Sequence, residues 1–317
     1  MENRVRQKRV QWFREAKWGV FCHYLASNEM DVAEWNSRVD SFDTERLACQ
    51  LEFAGVKYFI ITIGQNSGHY CSPNQTYDSI VGIYPSKCSN RDLVSDLFDA
   101  LEPKGIKLMV YFTLNAPYYD PVAQEKLEWE EKEPIGRDGK RFEDFQLKWD
   151  AIVREWSLRW GEKVKGWWID GCYFPKSNYE QPNGPDFASF AAAMRAGNPN
   201  SIVAFNPGVN YPIISMTEEE DYTAGEAAHC LPLGYWDNNS NYYPVSDSVE
   251  GAQLHTLIFL GEYWGLGSPR FSKELTVGFT QYFCEHGGVV SWDVPISPDG
   301  QIPQSYIDTL SQIDKGN

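Results

Sequence analysis

The stretch Gly166-Trp167-Trp168-Ile169-Asp170-Gly171 (GWWIDG) joins an apolar run rich in indoles to a carboxylate and a glycine. A short apolar run of this kind predicts a buried strand, and the carboxyl end of such a strand is where α/β barrels carry their catalytic groups. The alternative interpretation is that Asp170 only caps the following turn, a common use of aspartate before glycine. The catalytic interpretation predicts that other strands of the chain also end in polar residues, whereas the turn-capping interpretation makes no such prediction.

Short apolar runs alternate with longer amphipathic segments along the whole chain. Besides 166–170, we predict strands at 17–24, 56–63, 106–114, 201–206, 221–224 and 288–293, and leave 250–260 ambiguous. Helices are predicted at 43–54, 90–100, 143–161, 187–196 and 272–286, with Asp43 and Asn90 as N-caps and Gly55 and Gly105 as stops. Seven or eight strand-helix units predict an α/β fold, a (β/α)₈ barrel of the TIM type.

Polar residues follow many of these predicted strands at their carboxyl ends. They are His23, Gln65, Asn66, Asn115, Asp170, Asn206 and Glu226. In a barrel those ends converge on one mouth, whereas a doubly wound open sheet would need a glycine-rich phosphate loop after its first strand to bind a dinucleotide, and none is present. We therefore favour the barrel and expect residues 1–317 to form one catalytic domain.

The composition excludes several classes of function. The 317 residues include 44 Asp and Glu against 28 Lys and Arg, and the net charge of −16 disfavours nucleic acid and anionic membranes as partners. No apolar run approaches the roughly 20 residues of a membrane-spanning helix, and the basic N-terminus lacks the apolar core of a signal peptide. We expect a cytoplasmic protein whose seven cysteines are reduced.

The sequence carries no cofactor-binding motif, and we expect no cofactor. A metal site is a minor alternative, because no ligands show the H-E-x-x-H spacing of zinc enzymes, although several side chains could meet at the mouth. Those side chains are His23, His69, His229, His255, Asp170 and Glu226.

Aromatic residues are abundant, with 12 Trp, 18 Tyr and 17 Phe. Flat apolar rings suit stacking on sugar rings, although protein cores use the same residues. Trp35, Tyr111, Trp168 and Trp292 are the candidate walls of a sugar-binding site.

A series of motifs then occurs in one order along nearly the whole chain: Trp12-Phe13, Phe21 with His23, Glu34-Trp35, Ala54-Gly55-Val56-Lys57-Tyr58, Tyr111-Phe112-Thr113, Trp168-Ile169-Asp170-Gly171, Asp221-Tyr222 with Glu226, Trp264-Gly265 and Asp299-Gly300-Gln301-Ile302-Pro303. In this order they resemble the α-L-fucosidases of glycoside hydrolase family 29. The resemblance implies a barrel, a nucleophile at Asp170 and a substrate-binding histidine at His23. It also implies that the C-terminal β-sandwich of many members is missing, because the last motif lies close to Asn317.

The chain departs from this family at the sugar site. Where the family has Lys-His-His-Asp-Gly after the second strand, this chain has Gly64-Gln65-Asn66-Ser67-Gly68. The amides of Gln65 and Asn66 can still bind hydroxyls, and we expect them, with Asn206, to contact substrate.

The family's Trp-Glu-Thr-Cys segment, which holds the acid/base glutamate, is not matched. Three residues are candidates for that role. Glu226 ends a predicted strand and is favoured; Glu262 lies among aromatics that would raise its pKa; His255 titrates near neutral pH.

These observations lead to one hypothesis, a retaining exo-glycosidase that hydrolyses an α-L-fucoside or a related small carbohydrate through a glycosyl-enzyme on Asp170. The alternatives are a catalytically impaired sugar-binding protein of the same fold and a metal-dependent hydrolase. A homo-oligomer, in which a partner subunit closes the mouth, is a further option.

Overall fold

The computed structural model describes residues 2–129, 143–173, 185–233 and 246–316. Parts of the connections between the predicted strands and helices therefore lie outside the described residues, at 130–142, 174–184 and 234–245. The strands are β1 (Trp18–Cys22), β2 (Tyr58–Thr62), β3 (Lys107–Thr113), β4 (Val164–Asp170), β5 (Ile202–Phe205), β6 (Glu226–Ala227), β7 (Ser248–Val249), β8 (Ala252–Gln253), β9 (His255–Phe259) and β10 (Val289–Asp293).

Eight of these strands form one parallel sheet in the order β5-β4-β3-β2-β1-β10-β9-β6, while β7 and β8 form a separate antiparallel pair. Because neighbours in the sheet follow chain order and β1 pairs with β10, the sheet curls into a TIM-like (β/α)₈ barrel. The predicted fold class is confirmed. The ambiguous segment 250–260 contains β8 and β9.

The helices are α1 (Glu2–Ala16), α2 (Val32–Asp40), α3 (Thr44–Ala54), α4 (Gln75–Val81), α5 (Leu93–Leu101), α6 (Pro121–Leu127), α7 (Glu143–Trp160), α8 (Phe187–Met194), α9 (Lys273–Glu285) and α10 (Gln304–Leu310), with 3₁₀ turns at Glu102–Lys104, Gly161–Lys163 and Asp314–Gly316. No helix of the described residues is long and apolar enough to cross a membrane.

Local capping chemistry sets the helix ends. Asp43 caps α3 by accepting a hydrogen bond from the Arg46 N–H, and Gly55 ends α3 with φ +83°, as predicted. The predicted cap at Asn90 is wrong. Asp92 caps α5 instead, because its side chain accepts from the Ser95 N–H and the helix begins two residues later than expected.

Alternate residues of each strand point into the barrel and form an inner core. The inner core contains Phe21, Tyr58, Ile60, Met109, Tyr111, Trp168, Ile202, Ala204, Tyr222, Ala224, Leu257 and Val289. At the amino ends of the strands, Phe13 of α1 packs against Tyr58, Tyr222 and His255, with ring centroids 4.9, 4.8 and 5.4 Å apart. Helix α1 thus closes the bottom of the barrel, and its opposite end is left for ligands.

Two buried carboxylates complete the barrel beside β5. Asp221 accepts from the Val203 N–H at 3.0 Å, and Glu220 accepts from the Phe205 N–H at 2.7 Å. Burial raises the pKa of Glu220 to about 7. The predicted strand 221–224 is therefore wrong in detail. Hydrogen bonds from the Glu220 and Asp221 side chains and single backbone bridges take the place of a regular β-ladder in this segment. The strand that pairs within the sheet is β6, which follows it.

The Asp221 carboxylate is also paired with two cations. Arg9 of α1 donates to its Oδ1 at 2.8 Å, and Arg195 donates to its Oδ2 at 2.8 Å. A buried carboxylate needs such partners to offset the loss of hydration. Asp221 therefore joins α1, the segment after α8 and β5 in one charged cluster.

Gly225 allows the chain to enter β6. It has φ +61°, and a Cβ at this position would lie 1.9 Å from the carbonyl oxygen of His255 on the neighbouring strand. Only glycine accepts both the backbone conformation and the close approach. The next residue, Glu226, is placed by this contact.

Replacement of Gly225 by alanine is expected to lower the free energy of unfolding by at least ~2 kcal/mol, because the new methyl group meets backbone and the left-handed conformation is strained. Gly278 offers a matched control, since it lies inside α9 with nothing within 4 Å of an added Cβ. Gly278→Ala should stabilise the protein by about 0.5–1 kcal/mol. Urea unfolding of both variants tests the pair; equal effects would contradict the assignment of Gly225.

Candidate active site

A cavity of about 380 Å³ opens at the carboxyl ends of the strands. We call it the central cavity. Its polar lining residues are His23, Gln65, Asp170, Asn206 and Glu226. The remaining lining residues are apolar or aromatic, namely Phe21, Leu25, Tyr111, Trp168, Tyr173, Leu257, Tyr263 and Trp264. Convergence of strand ends from across the barrel thus builds one pocket with two carboxylates.

Asp170, the last residue of β4, faces the central cavity and is held by four hydrogen bonds. Its Oδ1 accepts from the Gly171 N–H at 2.8 Å, the Asn206 amide at 2.9 Å and the Tyr173 hydroxyl at 3.0 Å. Its Oδ2 accepts from the Tyr111 hydroxyl at 2.6 Å. These donors fix the carboxylate in one orientation, with Oδ1 more fully engaged than Oδ2.

The Asn206 amide connects the two carboxylates of the cavity. Its Nδ2 donates to Asp170 Oδ1 at 2.9 Å and to Glu226 Oε2 at 2.7 Å. Its Oδ1 accepts from the Gly208 N–H at 3.1 Å, so the amide is oriented with its NH₂ group toward the carboxylates. The two carboxylate oxygens are therefore separated by no more than the sum of those two bonds.

Glu226 lies at the start of β6, opposite Leu257 of β9. Burial raises the pKa of Glu226 above its usual value, and the negative charge of Asp170 raises it further. The hydrogen bond from Asn206 acts in the opposite direction, and so does His23 when its ring is protonated. Burial and the neighbouring carboxylate prevail, so Glu226 keeps its proton to a higher pH than an exposed glutamate does.

Aromatic rings form the floor of the central cavity. Tyr111 stacks on Trp168 with ring centroids 5.4 Å apart and an interplanar angle of 16°, and Phe21 meets Tyr111 edge-on at 5.6 Å. The Trp168 Nε1–H donates to the Ala224 carbonyl oxygen at 3.0 Å. Burial raises the pKa of Tyr111 well above its usual value, so its hydroxyl keeps its proton, and it accepts a hydrogen bond from the Gln65 amide.

His23 forms another wall. Its Nδ1 lies 2.8 Å from Oδ1 of Asp293, the last residue of β10, and Asp293 Oδ2 accepts from the Gly265 N–H at 2.6 Å. Asp293 is fully buried, and burial raises its pKa while His23 opposes the rise. The two residues follow neighbouring strands, which explains their pairing.

Two of the three acid/base candidates lie outside the central cavity. His255 is the first residue of β9 and is buried at the bottom of the barrel, where its ring nitrogens bond the Thr223 carbonyl oxygen at 2.9 Å and Ser291 Oγ at 2.8 Å. Burial lowers its pKa to about 4. Glu262 is exposed, and its side chain packs beside Gly267. Only Glu226 of the three lines the cavity.

Three predicted substrate contacts also lie elsewhere. Trp35 is buried in α2, and its Nε1–H donates to the Tyr70 carbonyl oxygen at 3.0 Å. Trp292 points out of the barrel toward α9, because it alternates with the inward residues of β10, and it bonds Thr280 Oγ1 at 3.0 Å. Asn66 is exposed and does not line the cavity. Trp292 lies outside the cavity because it is on the outward face of its strand, and Asn66 does so because its loop turns that side chain toward solvent.

Four residues of the site were missed in the sequence. Tyr173 and Tyr263 lie in connections without a regular pattern, and no signal singled them out. Trp264 was visible as part of the Trp264-Gly265 motif. Asp293 ends a predicted strand and carried the same signal as Asp170.

Within the part of the chain that the structure describes, no group of three or more His, Cys, Asp or Glu side chains is placed to hold a metal ion.

Comparisons with known proteins identify the relatives of this chain. Residues 30–228 match the family model for alpha-L-fucosidase. No curated protein matches the chain.

Solved structures share its fold. An endo-fucoidan hydrolase of glycoside hydrolase family 107 aligns with a TM-score of 0.72 and 18% identity over 98% of this chain and 53% of its own. Alpha-L-fucosidase isoenzyme 1 from Paenibacillus thiaminolyticus aligns with a TM-score of 0.64 and 18% identity, over 98% of this chain and 76% of its own. A GH29 alpha-L-fucosidase from Bacteroides thetaiotaomicron aligns with a TM-score of 0.65 and 16% identity, over 97% of this chain and 73% of its own. The chain spans about half the length of the first of these proteins.

The two neighbours of Glu226 should shift its pKa in opposite directions. Asp170→Asn should lower the pKa because it removes a negative charge, and Asn206→Ala should raise it because it removes a hydrogen bond to the ionised form. Carbon-13 NMR titration of labelled glutamate carboxyls measures both. Asp150→Asn, a change in α7, is the control and should leave Glu226 unaltered. Shifts of the same sign in the two variants would contradict this electrostatic description.

Proposed function

The chain belongs to the alpha-L-fucosidase family, and from that premise we propose that it is a retaining exo-glycosidase that hydrolyses α-L-fucosides or closely related glycosides. Hydrolysis proceeds through a covalent glycosyl-enzyme on Asp170, with Glu226 as the acid/base. The observation that carries the proposal is the pair of carboxylates bridged by Asn206.

The separation of the carboxylates supports retention of configuration. Retaining glycosidases hold their two carboxyl groups about 5–5.5 Å apart, whereas inverting enzymes leave a wider gap for water. The shared Asn206 amide keeps the nearer oxygens of Asp170 and Glu226 within the sum of bonds of 2.9 and 2.7 Å. A separation in this range favours retention over inversion.

In the first step, a carboxylate oxygen of Asp170 attacks the anomeric carbon, and the bond from that carbon to the glycosidic oxygen breaks. Glu226 transfers its proton to the departing oxygen. Oδ2 of Asp170 is the better placed atom, because Oδ1 already accepts three hydrogen bonds. The raised pKa of Glu226 suits a group that must be protonated before it acts.

In the second step, Glu226, now ionised, removes a proton from water, and the water oxygen displaces Asp170 from the anomeric carbon. The free sugar leaves with its original configuration, and both carboxyl groups return to their starting states. Asn206 contacts both groups throughout and can stabilise whichever of them carries the charge.

The lining of the central cavity suits a sugar with one apolar face. Phe21 and Trp168 offer ring surfaces, while His23 and Gln65 offer hydrogen-bonding groups to hydroxyls. A compact cavity supports exo action on a terminal sugar. The endo-fucoidan hydrolases of the same fold provide the alternative, cleavage within a chain, which product analysis on fucose-containing polysaccharides would distinguish.

Asp170→Ala should reduce hydrolysis of 4-nitrophenyl α-L-fucopyranoside by ~10³-fold or more while sugar binding persists. Glu226→Ala should reduce kcat by about 10²–10⁴-fold, and azide should restore part of the rate, because a small anion can complete the reaction without base assistance. The pH at which kcat/KM falls on the basic side should report the proton of Glu226.

Glu262→Ala is the matched control for these variants, since Glu262 is an exposed glutamate outside the central cavity. It should keep wild-type rates and show no response to azide. Wild-type turnover by Asp170→Ala, or azide rescue of Glu262→Ala in place of Glu226→Ala, would overturn the assignment. Sugar binding by the wild type without any release of product would favour a binding protein.

A further inference from the structure

Asp293 is buried beneath the central cavity, and both of its carboxylate oxygens are engaged. Oδ1 lies 2.8 Å from His23 Nδ1, and Oδ2 lies 2.6 Å from the Gly265 nitrogen. The pair is held rigidly, because β1 and β10 are hydrogen-bonded neighbours and Phe21 is in register with Asp293. Gly265, with φ +62°, lies so close to His23 that an added Cβ would be 3.3 Å from the histidine Cβ.

We propose that Asp293 is a positioning residue, which keeps a proton on Nδ1 of His23 so that Nε2 presents a hydrogen-bond acceptor to a substrate hydroxyl in the central cavity. The proposal rests on the proposed function, since it takes a sugar to be the occupant of the cavity.

The chemistry of the contact requires the proton on Nδ1. An ionised carboxylate only accepts hydrogen bonds, so the nitrogen facing Asp293 Oδ1 must be the donor. A neutral imidazole has one N–H, and its other nitrogen is then an acceptor. Nε2 of His23 has no hydrogen bond to any described residue, and the ring lines the cavity. Glu226 is the other carboxylate that acts on His23 electrostatically.

This arrangement selects among sugars. A free hydroxyl at the position facing Nε2 can donate to it, whereas a deoxy or O-methyl group offers no donor and leaves that hydrogen bond unmade. Sites built to bond a substrate hydroxyl discriminate strongly against analogues that lack it. Asp293 would therefore decide which hydroxyl pattern the enzyme accepts although it does not touch the sugar.

Asp293→Asn tests the proposal with almost no change in shape. The Gly265 N–H still needs an acceptor, so the new amide must turn its oxygen toward Gly265 and its NH₂ group toward His23. Nδ1 must then accept, and the proton moves to Nε2. Nitrogen-15 NMR at about pH 8.5, where an ordinary imidazole is neutral, should show Nδ1–H in the wild type and Nε2–H in the variant. An Nε2–H tautomer in the wild type overturns the proposal even if the variant fails to fold.

Kinetics separate positioning from general stability. Asp293→Asn and His23→Ala should each lower kcat/KM by about 10–100-fold, and the double variant should be no worse than His23→Ala, because Asp293 acts only through His23. Independent, multiplying losses overturn the proposal. Asp150→Asn, a carboxylate-to-amide change in α7 at a residue that does not line the central cavity, should retain activity. A wild type that hydrolyses no fucoside contradicts the proposed function instead, and the NMR result still decides the role of Asp293.

Discussion

A single amide group allows two carboxylates to share one pocket. Asp170 and Glu226 lie close together in a partly buried cavity lined by aromatic rings, where like charges repel more strongly than in bulk water. Asn206 donates to both, and its own oxygen is fixed by the Gly208 backbone. Burial and the negative charge of Asp170 raise the pKa of Glu226 above its usual value, and the hydrogen bond from Asn206 opposes that rise. A carboxyl group with a raised pKa beside a second carboxyl group is the arrangement from which the proposed acid/base role of Glu226 is inferred.

Two features of the barrel bring these three side chains together: the alternation of inward and outward residues along each strand, and the segment that joins β5 to β6. Asp170 and Asn206 end adjacent strands on the inward face, so their contact follows from the parallel register of β4 and β5. Glu226 lies on β6, after the segment that packs beside β5. In that segment Glu220 and Asp221 accept hydrogen bonds from the backbone N–H groups of β5. Gly225 then allows the chain to pack against the His255 carbonyl group. A buried charged cluster outside the pocket thus determines where the acid/base candidate lies.

Much of this could be read from the sequence, because apolar runs ending in polar residues mark barrel strands. That signal predicted seven polar residues at one mouth. Five of them, His23, Gln65, Asp170, Asn206 and Glu226, line the central cavity, whereas Asn66 and Asn115 do not. The same signal failed where the outcome depended on which end of a strand a residue occupies, or on which face of the sheet its side chain lies. His255 begins its strand and lies at the opposite end, and Trp292 has the outward parity. Tyr173 and Tyr263 lie on loops, whose paths depend on tertiary contacts that local patterns do not encode.

The most direct test of the account is to identify the residue that becomes covalently bound to the sugar. A 2-deoxy-2-fluoro-α-L-fucosyl fluoride slows the second step more than the first, so a glycosyl-enzyme should accumulate and survive digestion for mass spectrometry. One sugar per chain is expected, bound to the peptide that carries Asp170. A label on any other residue, or no label from an enzyme that turns over ordinary fucosides, would contradict it.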